Sequence, residues 1–148
     1  MTVLPLLEPI KDELLLVEQR MLEEANVSYP PLAQSIEALI SSGGKRLRPA
    51  LAILASKFHP ADQDKVISLA ASVEMLHTAT LVHDDLIDNA STRRGLPTLN
   101  TSWPTATVVL VGDHIFARSA ALVARTGNPR VVSIFARTLM TICDGELR

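Results

Sequence analysis

The sequence predicts an all-α protein, and three observations carry that prediction. The 148 residues are 47% apolar but only 3% aromatic, and a core of Leu, Ala, Val and Ile suits helices packed on helices better than a β-sandwich. Apolar side chains recur at alternating spacings of three and four, the period of an amphipathic helix. No run alternates apolar and polar residues convincingly, as a half-buried strand would.

Leu7, Ile10, Leu14, Val17 and Met21 form one stripe on a first helix over residues 6–25. Tyr29-Pro30-Pro31 interrupts it, because proline removes a helix donor. A second helix fits residues 31–40, with Leu32, Ile36, Leu39 and Ile40 facing inward. Ser41-Ser42-Gly43-Gly44 ends it, since glycine suits the left-handed position after a helix. Pro49 falls in the first turn of a third helix, which His59-Pro60 stops. Asp62 is the expected N-cap of a fourth, with Asp64 in its first turn. Val66, Leu69, Ala70, Val73, Leu76 and Leu81 keep helical spacing toward Asp88, a helix roughly 40 Å long. Residues 89–102 carry Gly95, Pro97 and polar side chains, and read as a loop. Pro104 opens a fifth helix to Arg125, Gly127-Asn128-Pro129 turns the chain, and a sixth runs toward Gly145. This last helix has no stop signal, so residues 1–148 read as one helical domain cut from a larger one.

Several classes are excluded. The net charge of -2 and the scarcity of aromatic rings argue against a nucleic-acid binder. The single cysteine, Cys143, excludes an internal disulfide framework and a Cys-based zinc site. The N-terminus lacks a basic segment and carries Glu8 within its apolar stretch, against a secretory signal. The longest uncharged apolar stretches, such as Thr105 to Gly112, fall short of a membrane span. A soluble, cytoplasmic protein is the expectation.

Charge is clustered, and the clusters suggest a site. In His83-Asp84-Asp85-Leu86-Ile87-Asp88, Asp84 and Asp88 are four apart and share a helix face, while Asp85 points about 100° away. Such a pair can bind Mg²⁺, which is commonly held by one or two carboxylates together with substrate phosphates. The plainer reading is a solvated acidic helix end. Against it, acids at a helix C-terminus oppose the macrodipole by about 0.3–1 kcal/mol each. No Lys or Arg lies between Lys65 and Arg93 to relieve them. His77 lies two turns before Asp84 on the same side, either as a ligand-binding group or as a satisfied core histidine. Gly43-Gly44-Lys45-Arg46-Leu47-Arg48-Pro49 is a glycine turn leading into a helix start with three cations. That suits a diphosphate, or is a capped helix end followed by a solvated basic turn. Arg93-Arg94-Gly95 is a second basic pair, whose plain role is neutralising the acidic cluster. Taken together, a metal-mediated anion site and a direct one beside aliphatic helices suggest an enzyme acting on isoprenoid diphosphates.

In these segments the sequence resembles the trans-polyprenyl diphosphate synthase family. The resemblance spans the chain through Gly43–Pro49, Glu74–Asp88, Arg93–Thr98, Gly112-Asp113 and Asp144–Arg148, in order. It implies an all-α antiparallel bundle around a central cavity, usually homodimeric, of which about six helices are present here. It implies condensation of isopentenyl diphosphate, head to tail, onto an allylic diphosphate with Mg²⁺. Asp84 and Asp88 would ligate the metal, with Asp85 completing the catalytic triplet. Arg93 would contact the allylic diphosphate. Lys45, Arg48, His77 and Arg94 would hold isopentenyl diphosphate. Ala79 and Thr80, just before the first Asp, would set chain length; both are small, which leaves the path open to products longer than the fifteen-carbon class. The sequence departs from the family in length and in lacking a second aspartate-rich motif.

Two other functions remain as alternatives. A terpene cyclase-like enzyme shares the Asp-rich helix but needs no isopentenyl site, and Lys45, Arg48 and Arg94 argue against it. A non-catalytic or complementing subunit of a heteromeric synthase fits the short length, although the intact Asp84, Asp85 and Asp88 argue against a non-catalytic one.

Overall fold

The computed structural model describes residues 4–42 and 44–148. A 3-10 turn over Pro5–Ile10 leads into α1 (Lys11–Ala25), α2 (Pro30–Ser41) and α3 (Leu47–Ser56). Then come α4 (Gln63–Ile87), a small hairpin of β1 (Thr92–Arg93) and β2 (Leu96–Pro97), α5 (Thr105–Ala124) and α6 (Pro129–Glu146). Each predicted helix is present, so the fold is all-α. The first begins later than its apolar stripe suggests, because Pro5 and Pro9 hold the opening turn in 3-10 form.

α4 is the hub and packs against α1, α3 and α5. Its N-cap is the one expected: the Asp62 side chain accepts from the backbone N–H of Asp64 and Lys65. Leu14, Val17 and Met21 of α1 bury with Ala71, Met75 and Ala79 of α4 and Val111 and Ile115 of α5. Polar staples lock the layers: Arg20 donates to Ser68 Oγ at 2.8 Å and to Asp64 at 2.7 Å, joining α1 to α4. Arg125, just past the end of α5, donates to Glu24 of α1. α6 is the loosest element, with Phe135 its buried residue.

α4 and α5 are long and apolar enough to cross a membrane by length and composition, although charged residues such as Glu74 and Asp113 interrupt their apolar stretches. The apolar window of α4 is mostly buried among its neighbours, as a central core helix must be.

The end of α4 shapes the site. Asn89 takes a left-handed φ of 50°. Ala90 N–H reaches the Asp85 carbonyl at 2.9 Å and Asn89 N–H the Leu86 carbonyl at 3.3 Å, a Schellman ending with asparagine in the glycine position. The chain then reverses in a short hairpin, within the stretch expected to be loop. Its two central residues, Arg94 and Gly95, have φ of 52° and 79°, the signature of a type I′ turn. Thr98 Oγ1 and Asn100 Nδ2 both donate to the Ala90 carbonyl, at 2.6 and 2.9 Å, and hold the returning strand down.

Candidate diphosphate and metal site

The three aspartates have separate surroundings. Asp85 is 6% exposed and accepts from Arg93 Nε through both oxygens, at 2.8 and 3.0 Å. Arg93 Nη2 lies 2.7 Å from Asp85 Oδ1 as well. The bond to Asp85 holds Arg93 above the ordinary guanidinium value, with Asp84 and Asp88 adding to the effect. Neutralisation by Arg93 therefore applies to Asp85. Asp84 is half-buried and Asp88 exposed at the helix end, and neither forms an ion pair among the described residues. Two unpaired carboxylates four residues apart fit a hard cation that completes its shell with phosphate and water. A set of three or more acidic, His or Cys groups able to hold a metal is absent among the described residues. The pair thus suits a metal shared with a substrate better than a fully protein-caged one.

The two basic segments meet. A Cβ on Gly44 would lie 2.8 Å from Arg94 Nη1 and 3.0 Å from its Cζ. Glycine is what lets the guanidinium lie against the backbone there. Gly43 lies outside the described residues. His77 is half-buried, and desolvation is the main reason its imidazole sits below the usual histidine value. Arg48, Arg94 and Arg93 push it further down, while Glu74 opposes them. His77 therefore lies within the field of all three arginines, which together with burial favours its neutral form. Lys45 and Arg48 are exposed, and no side chain caps the N-terminus of α3 beside them. Arg46, the third cation of the run, is buried on Glu74.

A cavity of about 260 Å³ opens between α2, α4 and the hairpin loop, with Arg46, Glu74, His77, Arg93 and Arg94 among its polar lining. Asp84 and Asp88 lie outside that lining, on the neighbouring side of α4. The two chain-length candidates also separate. Thr80 is half-buried on the side of Asp84, its hydroxyl donating to the His77 carbonyl at 2.8 Å. Ala79 is fully buried in the main core cluster.

Four residues gain roles that sequence reasoning did not give them. His83 Nε2 lies 3.2 Å from the Val109 carbonyl and 3.6 Å from Asp113 Oδ1. A Cβ on Gly112 would stand 2.1 Å from that same nitrogen. Gly112-Asp113 is therefore the seat of His83 between α4 and α5. Glu74 is another; its standing as the one Asp, Glu, Lys or Arg between Lys65 and Asp84 was the signal that could have marked it.

The polyprenyl synthetase family model matches residues 29–148. The chain belongs to the polyprenyl synthetase family. It is 38% identical over 138 residues to heptaprenyl diphosphate synthase component 2 of Geobacillus stearothermophilus, covering 93% of this chain and 43% of that protein. It is likewise 38% identical to nonaprenyl diphosphate synthase of Mycobacterium tuberculosis, covering 89% of this chain and 39% of that one. Among solved structures, a polyprenyl synthase from Caulobacter crescentus complexed with calcium and isoprenyl diphosphate superposes with a TM-score of 0.89 at 36% identity, over 96% of this chain and 43% of that one. Geranylgeranyl pyrophosphate synthase from Lactobacillus brevis gives 0.90 at 30% identity, over 95% and 44%. This polyprenyl synthetase chain therefore spans less than half the length of these relatives.

Proposed function

We propose that this family member takes part in head-to-tail condensation of isopentenyl diphosphate with an allylic diphosphate, with Mg²⁺ as the divalent ion. The observation that supports it is the approach of Arg94 to Gly44, at the start of the basic run, next to a cavity that His77, Arg93 and Arg94 line, with the unpaired Asp84 and Asp88 on the neighbouring side of α4. Arg93, fixed on Asp85 at the cavity wall, would meet the allylic diphosphate. Lys45, Arg48, His77 and Arg94 would take the second diphosphate. Asp84 and Asp88 would hold the metal, which supplies charge neutralisation for the departing diphosphate.

The chain's own groups account for the remaining requirements. Breaking the allylic C–O bond leaves positive charge on carbon and further negative charge on the leaving diphosphate, which fixed guanidinium groups stabilise. The apolar walls of α4 keep water from the cation. The double bond of isopentenyl diphosphate then forms the new C–C bond, and a proton leaves to the released diphosphate. No protein base is required.

The test is incubation of the protein, as its gene encodes it, with isopentenyl diphosphate, Mg²⁺ and allylic primers of several lengths. A lengthened prenyl diphosphate that disappears with chelator supports the proposal. Failure to extend any primer overturns it. A second reading, a complementing subunit, is favoured by relatives named component 2 of a heptaprenyl diphosphate synthase. Activity that appears only with a partner protein would support that reading. Assembly as a homodimer is part of the proposal, and exposed Leu110, Ile134 and Met140 on α5 and α6 support it.

A further inference from the structure

The sequence presents Lys45, Arg46 and Arg48 as similar cations, and the structure separates them. Lys45 and Arg48 are exposed, whereas Arg46 is 4% exposed and its partner Glu74 6%. Arg46 Nη1 donates to Glu74 Oε1 at 3.3 Å, and Nη2 donates to the Ile40 carbonyl. One guanidinium thereby ties the last turn of α2 and the interior of α4 to the residue that starts α3. Arg46 also holds a left-handed φ of 52°, which a residue with a side chain keeps only when its surroundings over-determine it. Glu74 precedes His77 by one helical turn, so both face the same side of α4. Removing either partner would leave a buried charge unpaired.

We infer that Arg46 and Glu74 are positioning residues, whose buried ion pair fixes the Gly44–Arg48 turn against α4, next to the cavity that His77 and Arg94 line, so that Lys45 and Arg48 join them in holding one diphosphate. This rests on the reading of that pocket given above. Arg46 adds no net charge to the pocket, because Glu74 cancels it. Its contribution is the bend that leaves Lys45 and Arg48 exposed on either side of a buried anchor.

The test uses the protein as its gene encodes it, with inorganic pyrophosphate as a calorimetric probe and steady-state kinetics alongside. Arg46→Met and Glu74→Gln should each weaken pyrophosphate binding about 10- to 100-fold. Each should raise the KM for isopentenyl diphosphate similarly, with kcat and the allylic KM moving less than about twofold. Because either change strands its partner, the double variant Arg46→Met with Glu74→Leu is the control. An apolar pair can restore thermal stability, and affinity should stay low. Recovery of both Tm and affinity in the double variant would overturn the inference, as would unchanged affinity in the single variants. Lys45→Ala and Arg48→Ala separate the two layers. If they weaken pyrophosphate binding and Arg46→Met does not, the positioning role alone falls. If none of the four substitutions moves it, the diphosphate reading falls as well.

Discussion

Asp85 gives both carboxyl oxygens to Arg93, while Asp84 and Asp88 hold no cation among the described residues, so substitution should separate the three. In the protein as its gene encodes it, Asp84→Ala or Asp88→Ala is expected to cut turnover by orders of magnitude with little change in Tm. Asp85→Asn should instead cost about 1–3 kcal/mol of stability, since a buried charged hydrogen bond is lost. Kinetics at saturating Mg²⁺ and thermal melts check both; near-normal turnover in an Asp84 or Asp88 variant would remove the metal assignment. His77 carries a pH prediction. Its folded value lies below the ordinary one, first through burial and then through Arg48. Between those two values the unfolded chain holds a proton that the folded chain lacks. Stability therefore falls as pH drops through the ordinary histidine value and levels off below the folded one. His77→Gln should lose less stability than the wild type between about pH 7.5 and pH 5 in urea titrations. Pyrophosphate, as an anion beside the ring, should move the His77 NMR titration midpoint upward. An unmoved midpoint would place the diphosphate elsewhere.

At the scale of elements, α4 has two working sides and a packing side. His83 on the packing side lies where a Cβ on Gly112 would go, at 2.1 Å. Gly112→Ala should push the His83 ring off the Val109 carbonyl and cost about 1–3 kcal/mol, read from denaturant midpoints. A second change, His83→Ala, should recover part of that loss, because it removes the atom in the way. The same geometry divides the chain-length candidates. Ala79→Phe must overpack a fully buried site and is expected to lower stability. Thr80→Phe projects on the side of Asp84 and is expected to shift products toward shorter chains at a similar rate. An unchanged product distribution in Thr80→Phe would show that the growing tail does not pass α4 at this level.

Across the whole molecule, apolar side chains remain uncovered. Leu47, Leu51 and Leu54 line the outer side of α3, with Leu51 68% exposed, Phe58 just beyond its end is exposed too, and Leu110 of α5 is 66% exposed. Patches of this kind drive association. The 148-residue chain alone should self-associate with rising concentration in sedimentation velocity and show no prenyltransferase activity. A monodisperse, active monomer would contradict both. The all-α class, the helix order, the Asp62 cap and the clusters around Lys45, Asp84 and Arg93 were legible in the sequence. Helical period, proline and glycine stops and charge spacing are local properties, readable within a few residues. Partner choice is not local. Among three like-charged residues of the basic run, only packing decides that Arg46 is buried on Glu74, 28 positions away. Among three aspartates, only the reversal of the chain at Asn89 and Arg94 decides that Asp85 receives Arg93. The seat of His83 against Gly112 likewise exists only once α5 lies on α4. The sequence by itself determined which chemical groups are present and on which helices they ride; the tertiary structure decided which charges are paired and which are free, because that depends on contacts between segments far apart in the chain.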